Sequence, residues 1–135
     1  MSVGQPQGML LNQFGEILEA AFGEVAYHVG SSTSMEKGTN HWRDVDVRLM
    51  LDDDVWESMG LGNPENPHTN PKWRAFCIVF SKYGQQLTGL PIDFQLQQRT
   101  HANKNYGRAK GCSRSALIVV NEERGKPLSA GEGTT

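Results

Sequence analysis

Apolar side chains recur at helical spacing in two long stretches, and each stretch predicts an amphipathic helix. The first runs from Gly8 to Phe22, with Gly23 as its stop. The second begins at Pro71, a residue that suits the first turn of a helix, and continues to Gly89. Its predicted core face comprises Trp73, Phe76, Cys77, Val79, Phe80, Tyr83 and Leu87.

Apolar and polar residues alternate strictly in two further stretches, as they do in strands with one buried face. The first strand runs from Asp44 to Leu51 and the second from Leu90 to Gln97. Their apolar sides carry Val45, Val47 and Leu49 in the first strand and Ile92, Phe94 and Leu96 in the second. Asp44, Asp46 and Arg48 share the polar side of the first strand, and Asp93 lies on the polar side of the second.

Shorter strands are predicted from Val25 to Val29 and from Ser115 to Val120. Together these elements predict an α+β fold, in which a mixed sheet of about four strands has helices packed on its apolar face. The opposite, polar face would stay open as the site. Residues 1–121 would form this domain, and the Gly-rich residues 122–135 would form a disordered tail.

Two connecting stretches have features of their own. Asp54 and Glu57 have capping-box spacing, which predicts a short helix that starts at the first of them. The run from Gly60 to Asn70 is rich in Gly, Pro and Asn and predicts a loop at the rim of a cleft.

Composition narrows the classes of function. The chain has 135 residues and a formal net charge of −2, which suits one soluble domain and argues against a generally basic nucleic-acid binder. Neither a membrane-length apolar run nor a secretory leader is recognisable, so we expect a cytoplasmic protein without a membrane partner. Two cysteines are too few for a zinc cage.

The candidate chemistry lies in the polar positions between Val25 and Leu51. Asp44 and Asp46 are like charges on one strand face, and a divalent cation such as magnesium is the common remedy for their repulsion. The strand that ends at Val29 breaks at Gly30-Ser31. Thr33 and Glu36 then have capping-box spacing for a helical turn, whose free N–H groups would face an anion.

These residues carry a family resemblance. A hydrophobic residue, Gly30-Ser31, twelve intervening residues and Asp44-Val45-Asp46-Val47 resemble the signature of the nucleotidyltransferase superfamily that includes DNA polymerase beta. The segment from Pro91 to Gln95 resembles the later strand that carries the family's third carboxylate, here Asp93. The resemblance spans Val25 to Leu96 and implies a nucleotidyltransferase-like fold.

The resemblance also implies roles for individual residues. Gly30 and Ser31 would hold the phosphates of a nucleoside triphosphate, and Asp44, Asp46 and Asp93 would bind two Mg²⁺ ions, with Mn²⁺ as the alternative. The chain departs from the family pattern in the polar segment after Ser31 and in Arg43, where Ser is common before the first Asp. Lys37-Gly38-Thr39 is similar to the Lys-Gly-Thr of oligoadenylate-synthase-like members, which place it nearer the Gly-Ser; the subfamily stays open.

The expected function is transfer of a nucleoside monophosphate from a triphosphate to an acceptor hydroxyl. Asp93 would accept the hydroxyl proton, and Lys37 and Arg48 would contact phosphates unless they are ordinary surface residues. The alternatives are an inactive nucleotide- or partner-binding module and, less well supported, a metal-dependent nuclease. The usual core of such a nuclease has a Lys two residues after its later acidic residue, where this chain has Gln95.

The basic stretch from Arg99 to Arg114 admits two interpretations. It is either a solvated loop or a positive lip that contacts the triphosphate or the acceptor. Under the second interpretation Lys104, Arg108 and Lys110 bind an acceptor, which is an RNA end or a partner protein. The base of the nucleotide and the oligomeric state stay open.

Overall fold

The computed structural model describes residues 6–30, 44–106, 113–118, 120–121 and 126–127. The helices are α1 (Gln7–Phe22), α2 (Asp53–Ser58), α3 (Pro71–Thr88) and α4 (Arg99–Tyr106), and a 3₁₀ turn spans Pro67–Thr69. The strands are β1 (Ala26–Gly30), β2 (Val45–Leu51), β3 (Ile92–Gln98), β4 (Ser113–Ala116), β5 (Val120–Asn121) and β6 (Lys126–Pro127).

Four strands form one open mixed sheet in the order β3-β2-β1-β4. β2 and β3 are parallel and are connected through α2 and α3, while β1 pairs antiparallel with both β2 and β4. The predicted α+β class and four-stranded mixed sheet are therefore confirmed. Among the described strands, β5 and β6 pair only with each other, and β6 lies within the segment expected to be a disordered tail. Residues 122–125 and 128–135 lie outside the described residues.

The core lies between α1, α3 and the apolar face of the sheet. Every apolar residue that the alternation placed on this face is at most 2% exposed. These residues are Val45, Val47, Leu49, Ile92, Phe94 and Leu96. Phe14 and Leu18 of α1 are fully buried against them, and the Cβ that Gly84 of α3 lacks would lie 2.8 Å from the Phe14 ring. The absence of that side chain lets the two helices pack closely.

The ends of α1 and α3 follow from their sequences. Gly23 and Gly89 adopt left-handed conformations directly after the two helices, with φ of 79° and 73°. At the start of α3 the Asn70 side chain accepts a hydrogen bond from the Trp73 N–H at 2.9 Å. Pro71 occupies the first turn, as its sequence position predicts.

The predicted capping box of the short helix is wrong. α2 starts at Asp53, so the capping position belongs to Asp52, and Asp54 lies inside the first turn. The Asp54 Oδ1 atom accepts from the neighbouring Val55 N–H at 2.9 Å. Acidic residues in the first turn still favour the helix, because they face the positive end of its dipole.

Two other features differ from the sequence-based expectation. The apolar run of α3 predicts Val79 on the core face, but Val79 is 60% exposed, because the buried stripe is narrower than the run of apolar residues suggests. The basic stretch begins as helix α4 and continues, after residues 107–112, as strand β4, which starts two residues before the predicted Ser115. The interpretation as a solvated loop is therefore wrong for Arg99–Tyr106.

Polar bonds hold the first turn of α4 against other elements. Arg99 donates to Glu24 at 2.7 Å and to Asp52 at 2.8 Å, and the Thr100 hydroxyl donates to Asp53 at 2.5 Å. α4 contacts β2 and β3 and contributes the fully buried Ala102. It covers one end of the otherwise open face, where Met50 is only 2% exposed.

α3 also hydrogen-bonds to the outer edge of β3 through side chains spaced four residues apart. The Trp73 indole donates to the Leu96 carbonyl at 2.9 Å, the Ser81 hydroxyl accepts from the Phe94 N–H at 2.8 Å, and the Gln85 amide donates to Ile92 at 2.9 Å. Between them, the Cys77 thiol is hydrogen-bonded by the Leu96 backbone, and burial raises the pKa of this thiol to about 11.

Replacing Ser81 with Ala tests these edge bonds. The change leaves the Phe94 N–H without its side-chain acceptor in a partly buried position, which costs about 1–2 kcal/mol. We expect the free energy of unfolding, measured by urea denaturation, to fall by that amount. The exposed neighbour Lys82, replaced by Ala, is the control and should change it by less than about 0.5 kcal/mol. Equal effects of the two variants would contradict the structural role of Ser81.

Candidate functional site

The structure brings the three predicted carboxylates together. Asp46 and Asp93 are direct register partners in the parallel pair of β2 and β3, so their side chains leave the same face of the sheet. Asp44 immediately precedes β2 and lies two residues from Asp46, in the same phase of the alternation. One carboxylate oxygen from each residue lies within 4.8 Å of the others.

Arg48 lies among these carboxylates and is the least exposed of the site's charged side chains. Its side chain is 13% exposed, against 33% for Asp46 and 38% for Asp93. The Nη2 atom lies 3.6 Å from Asp46 Oδ1 and 3.5 Å from Asp93 Oδ2, while Nη1 donates to the backbone carbonyl of Asp93 at 2.6 Å. The guanidinium thus bridges the two strands on the open face.

The guanidinium does not fully neutralise the cluster. Three carboxylates and one guanidinium leave two negative charges. Burial raises the pKa of the Asp46 carboxyl; Arg48 opposes that effect, and the neighbouring charges of Asp93 and Asp44 add to it. The surroundings of Asp46 therefore disfavour its charged form, and a divalent cation would supply the missing positive charge.

The donor set suits a hard divalent cation. Carboxylate oxygens are the protein ligands that Mg²⁺ prefers, and oxygens on opposite sides of one Mg²⁺ lie about 4.2 Å apart. The carboxylate oxygens of the cluster, within 4.8 Å of one another, need only small side-chain rotations to reach that geometry. Asp44 is exposed and the other two are half-buried, which leaves room for water and substrate phosphates in the shell.

The end of β1 lies beside the carboxylates. Val29 is the register partner of Asp46, and Gly30 follows it with a φ of 141°, a backbone conformation that residues other than glycine rarely adopt. The Gly30 carbonyl accepts a hydrogen bond from the Ser113 hydroxyl of β4. The other predicted phosphate-binding residues, Ser31 and Lys37, lie outside the described residues, as does the turn predicted from Thr33 and Glu36.

A cavity of about 260 Å³ opens on this face next to the carboxylates. It is lined by Val29, Gly30, Asp46, Arg48, Gln95, Gln97 and Arg114. The two glutamines belong to the same alternation that placed Asp93 on the polar side of β3. Arg114 belongs to the basic stretch, but no local pattern distinguishes it as a site residue, because its neighbours Ser113 and Ser115 in β4 are polar as well.

The basic stretch does not form one continuous lip in the described residues. Arg99 is bonded to Glu24 and Asp52 near the start of α2, whereas Arg114 lines the cavity beside Asp46. Lys104 is exposed on α4. Arg108 and Lys110 lie outside the described residues, so their predicted contact with an acceptor stays a prediction.

The Gly/Pro loop lines a second cavity, of about 330 Å³, between itself, β3 and α4. Glu65, Pro67 and His68 of the loop face Trp73 of α3 and His101 of α4. Gln95 and Gln97 line both cavities, so the two adjoin along β3.

Replacing Asp46 with Asn tests the cluster as a cation site. Because burial disfavours the charge of Asp46, the amide should leave the melting temperature of the metal-free protein at pH 7 equal or higher. Added Mg²⁺ should raise the melting temperature of the parent protein but not of the variant, since only a bound ligand stabilises the folded state. The control, Asp54→Asn on α2, should retain the full response to Mg²⁺. A strongly destabilised Asp46→Asn protein would mean that the carboxylate serves the fold.

Comparison of the chain with known protein families, with characterised proteins and with solved structures found no significant match. In the part of the chain that the structure describes, no helix is long and apolar enough to cross a membrane.

Proposed function

We propose that the domain is a metal-dependent nucleotidyltransferase, which moves a nucleoside monophosphate from a nucleoside triphosphate to an acceptor hydroxyl. One observation carries the proposal. Asp46 and Asp93 are register partners, Asp44 lies within reach of both, and the end of β1 at Gly30 adjoins them. Convergent carboxylates beside an open cavity suit phosphoryl chemistry, which depends on positioning and on neutralisation of charge.

Each residue of the cluster has a role in this reaction. Asp44, Asp46 and Asp93 would hold Mg²⁺ or Mn²⁺, which would neutralise charge on the phosphates and lower the pKa of the attacking hydroxyl. Asp93, at the edge of the cluster on β3, would accept the hydroxyl proton. The acceptor oxygen forms a bond to the α-phosphorus as the bond to the departing pyrophosphate breaks. The two uncompensated negative charges of the carboxylate cluster match one divalent ion. A second divalent ion would therefore enter with the triphosphate.

Arg48 has a positioning role in this scheme. Its Nη1 and Nη2 atoms already contact Asp93 and Asp46, and its side chain is only 13% exposed. A guanidinium held in this way keeps the two carboxylates on one face of the sheet and reduces their repulsion. The phosphate contact expected for Arg48 would require it to leave these partners.

The same arginine favours a second candidate function. Because Arg48 supplies positive charge within the carboxylate cluster, the domain would tolerate the absence of metal and could act as a nucleotide- or partner-binding module without turnover. The nuclease alternative gains less support, because the uncharged Gln95 occupies the position of the expected Lys. Gln95 is the register partner of Arg48.

Pyrophosphate release tests the transferase. The purified chain, Mg²⁺, each nucleoside triphosphate in turn and RNA ends or protein as acceptor should yield pyrophosphate. Asp46→Asn and Asp93→Asn should each reduce the rate by about 10²-fold or more, because each removes a carboxylate that would hold the catalytic metal. Asp54→Asn should react like the parent. Nucleotide binding without pyrophosphate from any combination would support the binding module instead.

The acceptor is tested by replacing Lys104, Arg108 and Lys110 together with Ala. We expect the variant to lose acceptor affinity more than nucleotide affinity, with both measured by titration in low and moderate salt. If the acceptor is an RNA end, its affinity should fall steeply with salt, because phosphate contacts release counterions. A protein acceptor that docks by shape should depend less on salt. Loss of nucleotide affinity alone would assign these cations to the triphosphate.

A further inference from the structure

Arg114 is a cation whose hydrogen-bond partners are neutral. Its Nη1 atom donates to the Asn103 side-chain oxygen at 2.8 Å, and its Nη2 atom lies 3.3 Å from the Ala102 carbonyl. Among the described residues, no carboxylate forms an ion pair with Arg114, in contrast to Arg48 and Arg99. Within the described part of the chain, its positive charge is therefore available to an anion, and most of its five N–H donors are uncommitted.

The register of the sheet fixes the position of Arg114 relative to the carboxylates. Arg114 is the partner of Val29, and Val29 is the partner of Asp46, so the three residues form a row across β4, β1 and β2 on the open face. A spacing of about 4.8 Å per strand puts the backbones of Arg114 and Asp46 roughly 9–10 Å apart. Both side chains line the same cavity, with Gly30 between them.

The cavity therefore has a direction. Its lining includes Arg114 from β4, Gly30 from β1, Asp46 and Arg48 from β2, and the uncharged amides of Gln95 and Gln97 from β3. A molecule with an anionic end and a polar uncharged end matches this order. A nucleoside triphosphate that reacts at the carboxylates has its anionic end on one side of the reacting phosphorus and its nucleoside on the other.

We propose that Arg114 binds a terminal phosphate of the nucleoside triphosphate, and that the nucleoside extends toward Gln95 and Gln97. This inference rests on the proposed function. The planar guanidinium suits bidentate contact with phosphate oxygens. Asn103 is a positioning residue, because its side-chain oxygen orients the guanidinium from α4. α4, which the sequence did not predict, thus holds the guanidinium of Arg114 through Asn103 and Ala102.

Titration of the full chain with inorganic triphosphate and with a non-hydrolysable triphosphate analogue, both with Mg²⁺, tests the proposal. Arg114→Gln should weaken both ligands about tenfold or more, as loss of a charge-assisted hydrogen bond does. Arg114→Lys, which keeps the charge without the fork, should lose less. Asn103→Leu should weaken binding without removing any charge. Lys72→Gln, the same change of charge on an exposed part of α3, should leave both affinities unchanged.

The outcomes separate this inference from the proposed function. Unchanged affinity in an Arg114→Gln protein that unfolds like the parent overturns the inference, while pyrophosphate release that depends on Asp46 would still support the transferase. Binding of triphosphate that depends on Arg114, without release of pyrophosphate, supports the inference and refutes turnover. A parent protein that binds neither ligand overturns the inference. If Arg114→Gln unfolds, the Arg114→Lys and Asn103→Leu proteins decide by their affinities.

Discussion

The parallel pairing of β2 with β3 is the constraint on which the rest of the molecule depends. Its register places Asp46 opposite Asp93 and, one residue later, Val47 opposite Phe94. The core residues and the site residues consequently lie on opposite faces of the same two alternating strands. A slip of one residue would turn apolar side chains to solvent and separate the carboxylates. Burial of the fully enclosed Val47 and Phe94 thus holds the acidic residues together, although their mutual repulsion opposes it.

α3 strengthens that register from the outer side of β3. The side chains of Trp73, Ser81 and Gln85 bond to alternate residues of β3, and α3 is long enough to follow the strand along its length. The Ser81 hydroxyl accepts from Phe94, whose ring is buried against the aromatic side chain of Phe80 with 5.6 Å between the centroids. Hydrogen bonds and apolar packing therefore specify the same alignment of β2 and β3. This alignment keeps the cluster of like charges together near the start of the two strands.

The parts of the fold that the sequence predicted are those with a strong period. β2 and β3 alternate strictly, and α1 and α3 end at glycines, so their existence and the shared face of Asp44, Asp46 and Asp93 could be inferred. α4 has no apolar stripe and is held instead by hydrogen bonds to Glu24, Asp52 and Asp53, which are distant in sequence. The local sequence pattern gives no sign of such partners. The place of Arg114 in the cavity depends on the pairing of β4 with β1, which is equally non-local.

The bonds from α3 to β3 have a consequence for assembly. A strand at the edge of a sheet normally offers free N–H and C=O groups, and another chain can add to them as an extra strand. On β3 those groups are occupied by side chains of the same molecule, so growth of the sheet from that edge is blocked. The opposite edge, β4, is four residues long. Within the described four-stranded sheet, aggregation by strand addition is thus suppressed on the β3 side, and a partner that recognises backbone would approach the β4 edge.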